Sequence, residues 1–384
     1  MSVTAARGFR AAGVAAGLKA SGAFDVALVV NDGPSDAAAA VFTANRVKAA
    51  PVLWSQQVVA DGRLRAVILN AGGANACTGP AGFADTHRAA EHTAATLGIG
   101  AGEVAVCSTG LIGERLPMPE LIAGVGAAAA ALAESGGAAA ADAIRTTDTV
   151  AKQAAVTHES GWTIGGMAKG AGMLAPGLAT MLCVLTTDAV VDAATLDKAL
   201  RAATRLSFDR IDADGCMSTN DTVILLASAA SGTAPELGEF TRALDEVCLD
   251  LARQLLADAE GATKEVAVQV VGAVGEDDAV EVGRSVARNN LLKCALFGND
   301  PNWGRVLAAI GTTGARFEPD ELDVAINGVQ VCRAGAAGED RGLVDLTGRD
   351  VQILVDLHAG DSTATIWTND LSHAYVEENS AYSS

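Results

Sequence analysis

The stretch KGAGMLAPGLATMLCVL, from Lys169 to Leu185, decides how the middle of this chain is interpreted. A glycine-rich segment runs into Pro176, and the apolar run MLCVL after Thr180 is typical of a buried strand. A threonine hydroxyl is a weak nucleophile unless a base lies beside it, and its own amine becomes such a base when the preceding peptide bond is cut. The stretch therefore favours a chain that cleaves itself between Ala179 and Thr180 and then uses Thr180 as its nucleophile.

The residues alone leave a simpler interpretation of Thr180 open, because β-branched residues are common at the start of ordinary strands. The glycines at positions 170, 172 and 177 permit backbone strain upstream, and strain can drive attack of the threonine Oγ on the preceding carbonyl. The amine released by cleavage has a reference pKa of about 7.7–8, so part of it is neutral near pH 7 and can accept the hydroxyl proton. This context favours the nucleophile.

A second segment, CSTGLIG, ends a predicted strand with a hydroxyl next to an unobstructed backbone N–H. Thr109 and Gly110 carry these two donors side by side, which is what a tetrahedral oxyanion requires. Taken alone, the segment is also explained by an ordinary strand-to-loop turn.

The pattern of apolar residues predicts an α+β fold in which sheets pack against helices. Strands are predicted at 25–30, 39–44, 51–55, 65–73, 103–110, 181–188, 222–228, 264–274 and 351–357. Helices are predicted at 83–96, 119–134, 138–144, 192–207, 237–259 and 279–290.

Composition excludes several classes of function. The net charge is −19 and Lys and Arg do not cluster, which argues against nucleic acid and anionic membranes as partners. The N-terminus lacks an apolar signal segment and no run reaches the length of a membrane span, so a cytoplasmic protein is expected.

Metal chemistry is not expected either. The seven cysteines are far apart and form no CxxC pair, which favours reduced thiols over a zinc site or disulfides. The five histidines have no metal-ligand spacing. The segment DADGCMSTND at 212–221 hints at a calcium loop, but Arg210 occupies the position of the first ligand.

Several segments together resemble the glutamate N-acetyltransferase family, also called the bifunctional ornithine acetyltransferases of arginine biosynthesis. The resemblance extends over nearly the full length, through AAVFTANRVKAAPV (39–52), NAGGANACTG (70–79), CSTGLIGERLPM (107–118), RTTDT (145–149), KGAGMLAP with LATML (169–182), DAEGATK (258–264) and GNDPNWGR (298–305). NAGG departs from the Asn-Ser-Gly-Asn pattern of the family, a change that we expect a loop to tolerate.

The resemblance implies an acyltransferase that matures by self-cleavage at Ala179–Thr180. The products would be an α chain, 1–179, and a β chain, 180–384, which stay together and pair with a second copy as an α₂β₂ heterotetramer. The implied fold is a layered α/β sandwich of helix, two sheets and helix, with a smaller C-terminal subdomain.

The resemblance also assigns site residues. The nucleophile corresponds to Thr180, and the oxyanion donors correspond to Thr109 and Gly110. The substrate contacts correspond to Thr146, Lys169, Thr180, Glu260, Asn379 and Ser384.

The implied reaction moves an acetyl group from N²-acetyl-L-ornithine to L-glutamate through an acetyl-threonine ester, with no metal or other cofactor. Acetyl-CoA would serve only in a second activity, the acetylation of glutamate, and a bifunctional enzyme is the favoured interpretation. Two alternatives remain open at this stage. The first is a self-cleaving aminopeptidase or amidase with water as the acceptor, and the second is a non-catalytic binding protein.

Overall fold

The computed structural model describes residues 2–175 and 181–381. Ala179, Thr180 and Ser384 lie outside these ranges. The strands are β1 (Phe9–Val14), β2 (Val26–Asn31), β3 (Ala37–Phe42), β4 (Ala66–Ala71), β5 (Val104–Thr109), β6 (Lys152–Thr157), β7 (Thr163–Lys169), β8 (Leu182–Thr187), β9 (Thr222–Ala227), β10 (Glu265–Ala273), β11 (Asp323–Ile326), β12 (Val329–Arg333), β13 (Ala336–Ala337), β14 (Asp350–Asp356) and β15 (Ser362–Asn369). The helices are α1 (Ala50–Val58), α2 (Gly79–Leu97), α3 (Met118–Ala130), α4 (Gly137–Ala143), α5 (Ala193–Leu206), α6 (Leu237–Ala257), α7 (Glu276–Ala287), α8 (Asn290–Phe297), α9 (Trp303–Ile310) and α10 (His373–Ala381).

Two sheets pack face to face at the centre of the molecule. Their strand orders are β1-β2-β4-β5 and β3-β9-β8-β7-β6, and side chains such as Val29 and Leu69 of the first sheet meet Val184 and Ile224 of the second. Helices α2 and α3 cover the outer face of the first sheet, and α5 and α6 cover the outer face of the second. The predicted order of helix, sheet, sheet and helix is therefore confirmed.

Strand β8 explains the apolar run that follows Thr180. Leu182 and Val184 point into the core between the two sheets, whereas Cys183 and Leu185 point into the core beneath α5 and α6. A strand buried on both faces reads as a continuous apolar run rather than an alternating one.

The second sheet combines strands from both sides of residues 176–180. β3, β6 and β7 precede this segment, while β8 and β9 follow it. β7 and β8 are antiparallel neighbours, with Lys169 opposite Leu182 at one end of the ladder, and β3 pairs with β9. The two halves of the chain thus share one hydrogen-bonded sheet.

The C-terminal part forms a third sheet in the order β13-β12-β11-β14-β10-β15, with its own apolar core against α7, α8 and α9. Over residues 2–175 and 181–381, no helix has the length and apolarity needed to cross a membrane. The seven cysteines are free, and four of them are buried.

The strand predicted at 51–55 is wrong, because these residues lie in helix α1. Pro51 occupies the first turn, where a missing N–H costs nothing and the fixed φ suits a helix. Trp54 Nε1 donates to the carbonyl of Val104 at 3.0 Å and Ser55 Oγ donates to that of Val106 at 2.7 Å, so α1 packs against β5. The elements that were not predicted are strands β1, β6, β7, β11, β12, β13 and β15 and helices α8, α9 and α10.

Candidate active site

A pocket of about 590 Å³, its open mouth included, lies where the ends of β5 and β7 meet loops from both halves of the chain. The predicted oxyanion pair and four of the predicted substrate contacts line it together: Thr109, Gly110, Thr146, Lys169, Glu260 and Asn379. The placement of Ala179, Thr180 and Ser384 relative to the pocket stays a prediction, since these residues lie outside the described ranges.

The predicted oxyanion pair ends strand β5. The carbonyl of Thr109 accepts a hydrogen bond from the N–H of Gly72 at 2.9 Å. Gly110 has φ 131°, a conformation that L side chains rarely adopt, and a Cβ built on it would lie 2.6 Å from the backbone N of Gly73. Only glycine therefore fits at position 110, and the loop at 72–73 fixes the backbone of both residues.

A buried amide network holds this strand end in place. Asn220 Nδ2 donates to the carbonyls of Ala74 and Ser108 at 2.6 and 2.8 Å. Ser108 Oγ in turn donates to Asn70 Oδ1 at 2.6 Å. The NAGG segment, the end of β5 and the residues before β9 are thus tied into one rigid unit beside the pocket.

Lys169 is the buried cation of the pocket. Its Nζ donates to Thr146 Oγ1 at 2.7 Å and to Thr109 Oγ1 at 3.2 Å. Burial lowers the pKa of Lys169 below its usual value, the charge of Lys152 lowers it further, and the carboxylates of Asp148, Asp221 and Glu260 oppose the shift. This arrangement connects a cation directly to the predicted oxyanion hydroxyl.

Asp148 lies directly behind Lys169. Its carboxylate accepts hydrogen bonds from the N–H of Gly170 at 2.6 Å, the N–H of Thr146 at 3.0 Å and Lys152 Nζ at 2.6 Å. Although burial raises the pKa of Asp148, the charges of Lys169 and Lys152 and these hydrogen bonds outweigh it and lower the pKa to about 2. Lys152, which is fully buried, also pairs with Asp258 at 2.6 Å.

Glu260 brings the C-terminal helix to the pocket. Its carboxylate accepts from Thr147 Oγ1 at 2.8 Å and from Asn379 Nδ2 of α10 at 2.9 Å. A Cβ on Gly261, which has φ 62°, would lie 2.1 Å from the backbone N of Tyr375, so glycine lets α10 approach this closely. Asn379, which the resemblance assigned to the substrate contacts, thus lines the pocket from helix α10.

A fully buried carboxyl group lies next to the strand that follows Thr180. Asp221 Oδ1 accepts the N–H of Met181 at 3.1 Å, and its Oδ2 has no hydrogen-bond partner among the described residues. Burial raises the pKa of Asp221 well above its usual value.

The pocket therefore offers a hydroxyl, a buried ammonium, a carboxylate and an amide. In residues 2–175 and 181–381, no cluster of three or more His, Cys, Asp or Glu side chains is arranged to hold a metal ion. The groups that are present suit the binding of a small zwitterion and the stabilisation of a negative oxygen.

Comparison with known proteins agrees with this chemistry. A model of the ArgJ family matches residues 10–384, nearly the whole chain. The chain belongs to the ArgJ family. The resemblance stated from the sequence is thereby confirmed.

Individual ArgJ relatives match closely. The arginine biosynthesis bifunctional protein ArgJ of Streptomyces coelicolor is 67% identical over 384 residues, covering 100% of both chains. A crystal structure of ornithine acetyltransferase from Mycobacterium tuberculosis, complexed with ornithine, has 65% identity and a TM-score of 0.46, covering 47% of this chain and 96% of that one. The ArgJ structure from Bacillus halodurans has 36% identity and a TM-score of 0.50, covering 52% of this chain and 98% of that one.

Some pocket residues of this ArgJ-family chain were missed by sequence reasoning. Four polar residues that line the pocket were not predicted: Thr147, Ser218, Thr219 and Asn220. The last three lie in the segment that hinted at a calcium loop, so a polar run without calcium spacing was the available signal. For Asp148 the only signal in the sequence was weaker: it lies two residues after the predicted substrate contact Thr146 in the RTTDT segment.

Proposed function

We propose that this chain transfers the acetyl group of N²-acetyl-L-ornithine to L-glutamate through an acetyl ester on Thr180. The observation that carries the proposal is the single pocket in which Thr109 and Gly110 lie together with Lys169 and Glu260. Membership of the ArgJ family and the names of the relatives support this choice of reaction.

Acylation begins when Thr180 Oγ attacks the acetyl carbonyl carbon and passes its proton to the Thr180 α-amine. The hydroxyl of Thr109 and the backbone N–H of Gly110 donate to the oxyanion that forms. When the tetrahedral intermediate collapses, the C–N bond breaks and the Thr180 ammonium returns a proton to the departing α-nitrogen of ornithine. The acetyl group remains as an ester on Thr180.

Transfer reverses the same steps with a different amine. The neutral α-amine of glutamate attacks the ester carbonyl and gives a proton to the Thr180 α-amine, while the oxyanion forms again at Thr109 and Gly110. The C–O bond then breaks as the Thr180 ammonium protonates Oγ, which restores the hydroxyl. The cycle is ping-pong, because ornithine leaves before glutamate enters the same pocket. Lys169 supplies a cation for a carboxylate, and Glu260 supplies an anion for an amine, so both amino acids find complementary charge. Thr146, Asn379 and Ser384 complete the proposed substrate contacts.

Maturation by self-cleavage at Ala179–Thr180 is part of the proposal, because only cleavage creates the α-amine that serves as base. Because β7 and β8 are hydrogen-bonded neighbours in one sheet, we expect the products 1–179 and 180–384 to stay associated. The Bacillus halodurans structure also supports cleavage, since 98% of that chain aligns with only 52% of this one, as expected if that chain is one of two cleavage products. We further propose that two such pairs form an α₂β₂ heterotetramer in the cytoplasm.

The name of the relatives, bifunctional protein, supports a second activity in which acetyl-CoA acetylates glutamate through the same Thr180 ester. Both activities need only the chain's own groups, so we propose no metal or other cofactor.

The test is an acetyl-transfer assay with labelled N²-acetylornithine, combined with intact mass of the protein. We expect label in N-acetylglutamate, and without glutamate an added acetyl group on the chain that begins at Thr180. Thr180→Ala should stay one uncut polypeptide without transfer, whereas the matched variant Thr180→Ser should cleave and transfer slowly. A Thr180→Ala protein that is cleaved and active would overturn the mechanism.

The same assay separates the amidase alternative. If water rather than glutamate were the acceptor, labelled acetate would accumulate at an undiminished rate when glutamate is added. Label that moves to glutamate excludes this alternative.

A further inference from the structure

We propose that Asp148 is a positioning residue of the acyl-transfer site, which holds Lys169 against Thr109 so that the Thr109 hydroxyl points its hydrogen at the oxyanion. The inference rests on the proposed function and adds to it a role for a residue that does not touch the substrate. All residues on which the inference depends lie within the described ranges.

The first link is the contact between Lys169 and Thr109. An ammonium group has three donors and no acceptor, so in the 3.2 Å contact the Thr109 oxygen must accept. Its own hydrogen is then directed elsewhere, and Thr109 lines the pocket in which the substrate carbonyl is proposed to lie. A hydroxyl that accepts from a cation is also polarised toward donating.

The second link fixes the ammonium group. Thr146 Oγ1 accepts from Lys169 Nζ at 2.7 Å, so two of the three ammonium hydrogens have defined partners. Both sides of this contact are held by one carboxylate, because Asp148 accepts from the N–H of Thr146 and from that of Gly170, which follows Lys169 in the chain. Asp148 thus sets the distance between β7 and the loop that carries Thr146.

The third link is electrostatic. Lys169 is 2% exposed; the charges of Asp148 and Glu260 favour its protonation, as does Asp221 in its ionised form, and Lys152 opposes it. Loss of Asp148 leaves Lys169 buried beside Lys152 with less negative charge to offset it. A neutral Lys169 amine would accept the Thr109 hydrogen and turn the oxyanion donor away from the substrate.

Asp148→Asn is the direct test, measured on processed protein as the rate of ornithine release in a single turnover of N²-acetylornithine. Because losing one oxyanion donor typically costs about 10²–10³ in rate, we expect acylation to fall by about 10². The affinity for ornithine, measured by calorimetry at a pH where Lys169 keeps its charge, should change by no more than about threefold, since Asp148 does not line the pocket. The high-pH limb of the acylation rate should also move to lower pH, because Lys169 loses its proton more easily.

Asp258→Asn is the matched control. Asp258 is the other carboxylate on Lys152, and it contacts Thr149 rather than Thr146 or Gly170. We expect both variants to melt at a lower temperature than the wild type, but Asp258→Asn to acylate at close to the wild-type rate. Equal loss of acylation in both variants would mean a general loss of structure and would overturn the inference, and so would wild-type acylation in Asp148→Asn.

If Asp148→Asn does not fold, Lys169→Met replaces it. The inference expects a slower acylation step even at saturating N²-acetylornithine. Weaker ornithine binding with an unchanged acylation rate would assign Lys169 to the substrate carboxylate alone and overturn it. Failure of the wild-type protein to form an acetyl ester would instead reject the proposed function.

Discussion

Gly172 lies directly against the side chain of Glu260, so that a Cβ on Gly172 would come within 2.6 Å of the Glu260 carboxylate. That carboxylate cannot move away freely, because Thr147 and Asn379 both donate to it. A glycine in the quoted 169–185 stretch thus has a packing role inside the pocket.

Gly172→Ala should therefore displace the Glu260 carboxylate and break at least one of its two hydrogen bonds. We expect kcat/KM for N²-acetylornithine to fall by about tenfold, which corresponds to about 1.4 kcal/mol, the worth of one charge-assisted hydrogen bond. Steady-state kinetics measures this. Gly126→Ala on α3, where an added Cβ meets nothing within 4 Å, is the control and should leave kinetics unchanged. Normal kinetics in Gly172→Ala would mean that Glu260 needs no fixed position.

Thr109→Ala removes the hydroxyl donor while leaving the backbone of β5 intact. We expect acylation to slow by about 10²–10³, since one oxyanion donor is lost, and self-cleavage to slow as well. Thr109→Ser keeps the hydroxyl and should stay within about tenfold of the wild type. Ornithine release in a single turnover and intact mass over time measure the two effects. Unchanged rates in Thr109→Ala would remove this residue from the oxyanion role.

Gly110→Ala should destabilise the fold and not only the reaction. The residue has φ 131°, and its Cβ would meet the backbone N of Gly73 at 2.6 Å. Gly113→Ala is the matched control, because Gly113 has φ 91° but open space around the Cβ position. We expect the control to lose about 1–3 kcal/mol from backbone strain and Gly110→Ala to lose more. Urea denaturation of both variants measures the loss in free energy of unfolding, and equal losses would contradict the proposed steric contact.

Asp221→Asn should change how stability depends on pH. Burial raises the pKa of Asp221, so the folded state holds this proton more tightly than the unfolded chain does. Its contribution to stability is therefore present at low pH and is lost as pH rises from about 4, the unfolded pKa, toward the raised value. Asparagine keeps an acceptor for the N–H of Met181 without this loss.

We expect the free energy of unfolding of Asp221→Asn to improve relative to the wild type as pH rises above about 4, the unfolded pKa. Urea denaturation at several pH values measures this difference. A difference that stays constant with pH would mean that Asp221 is ionised alike in both states.

Sequence patterns predicted six of the nine strands in the two central sheets, because these strands are short and apolar, whereas the order of helix, sheet, sheet and helix came from the family resemblance. The failure at 51–55 shows the limit of that reasoning. PVLWS has the composition of a strand, whereas Pro51 in the first turn and the packing of Trp54 and Ser55 against β5 favour a helix. Strand β1 was missed because its sequence, FRAAGV, is too rich in small residues to show a β pattern.

Site residues could be predicted where the residue type itself indicates the chemistry. They could not be predicted where a residue acts through contacts with distant parts of the chain. Thr109, Lys169 and Glu260 came from segments that resemble the family, and they do line one pocket. Asp148 and Asn220 act through contacts with residues far away in the chain, such as Gly170 and Ser108, and a single sequence does not show those distances.

The strand order of the second sheet constrains the sequence of events during assembly. A break at Ala179–Thr180 would cut the covalent connection between β7 and β8, which are hydrogen-bonded neighbours. Strand β3 would still be hydrogen-bonded to β9. We therefore expect cleavage at this bond to follow folding rather than to precede it. If polypeptides 1–179 and 180–384 are produced separately, each exposes unpaired apolar strand edges until the shared sheet forms. We therefore expect them to aggregate unless they are produced together.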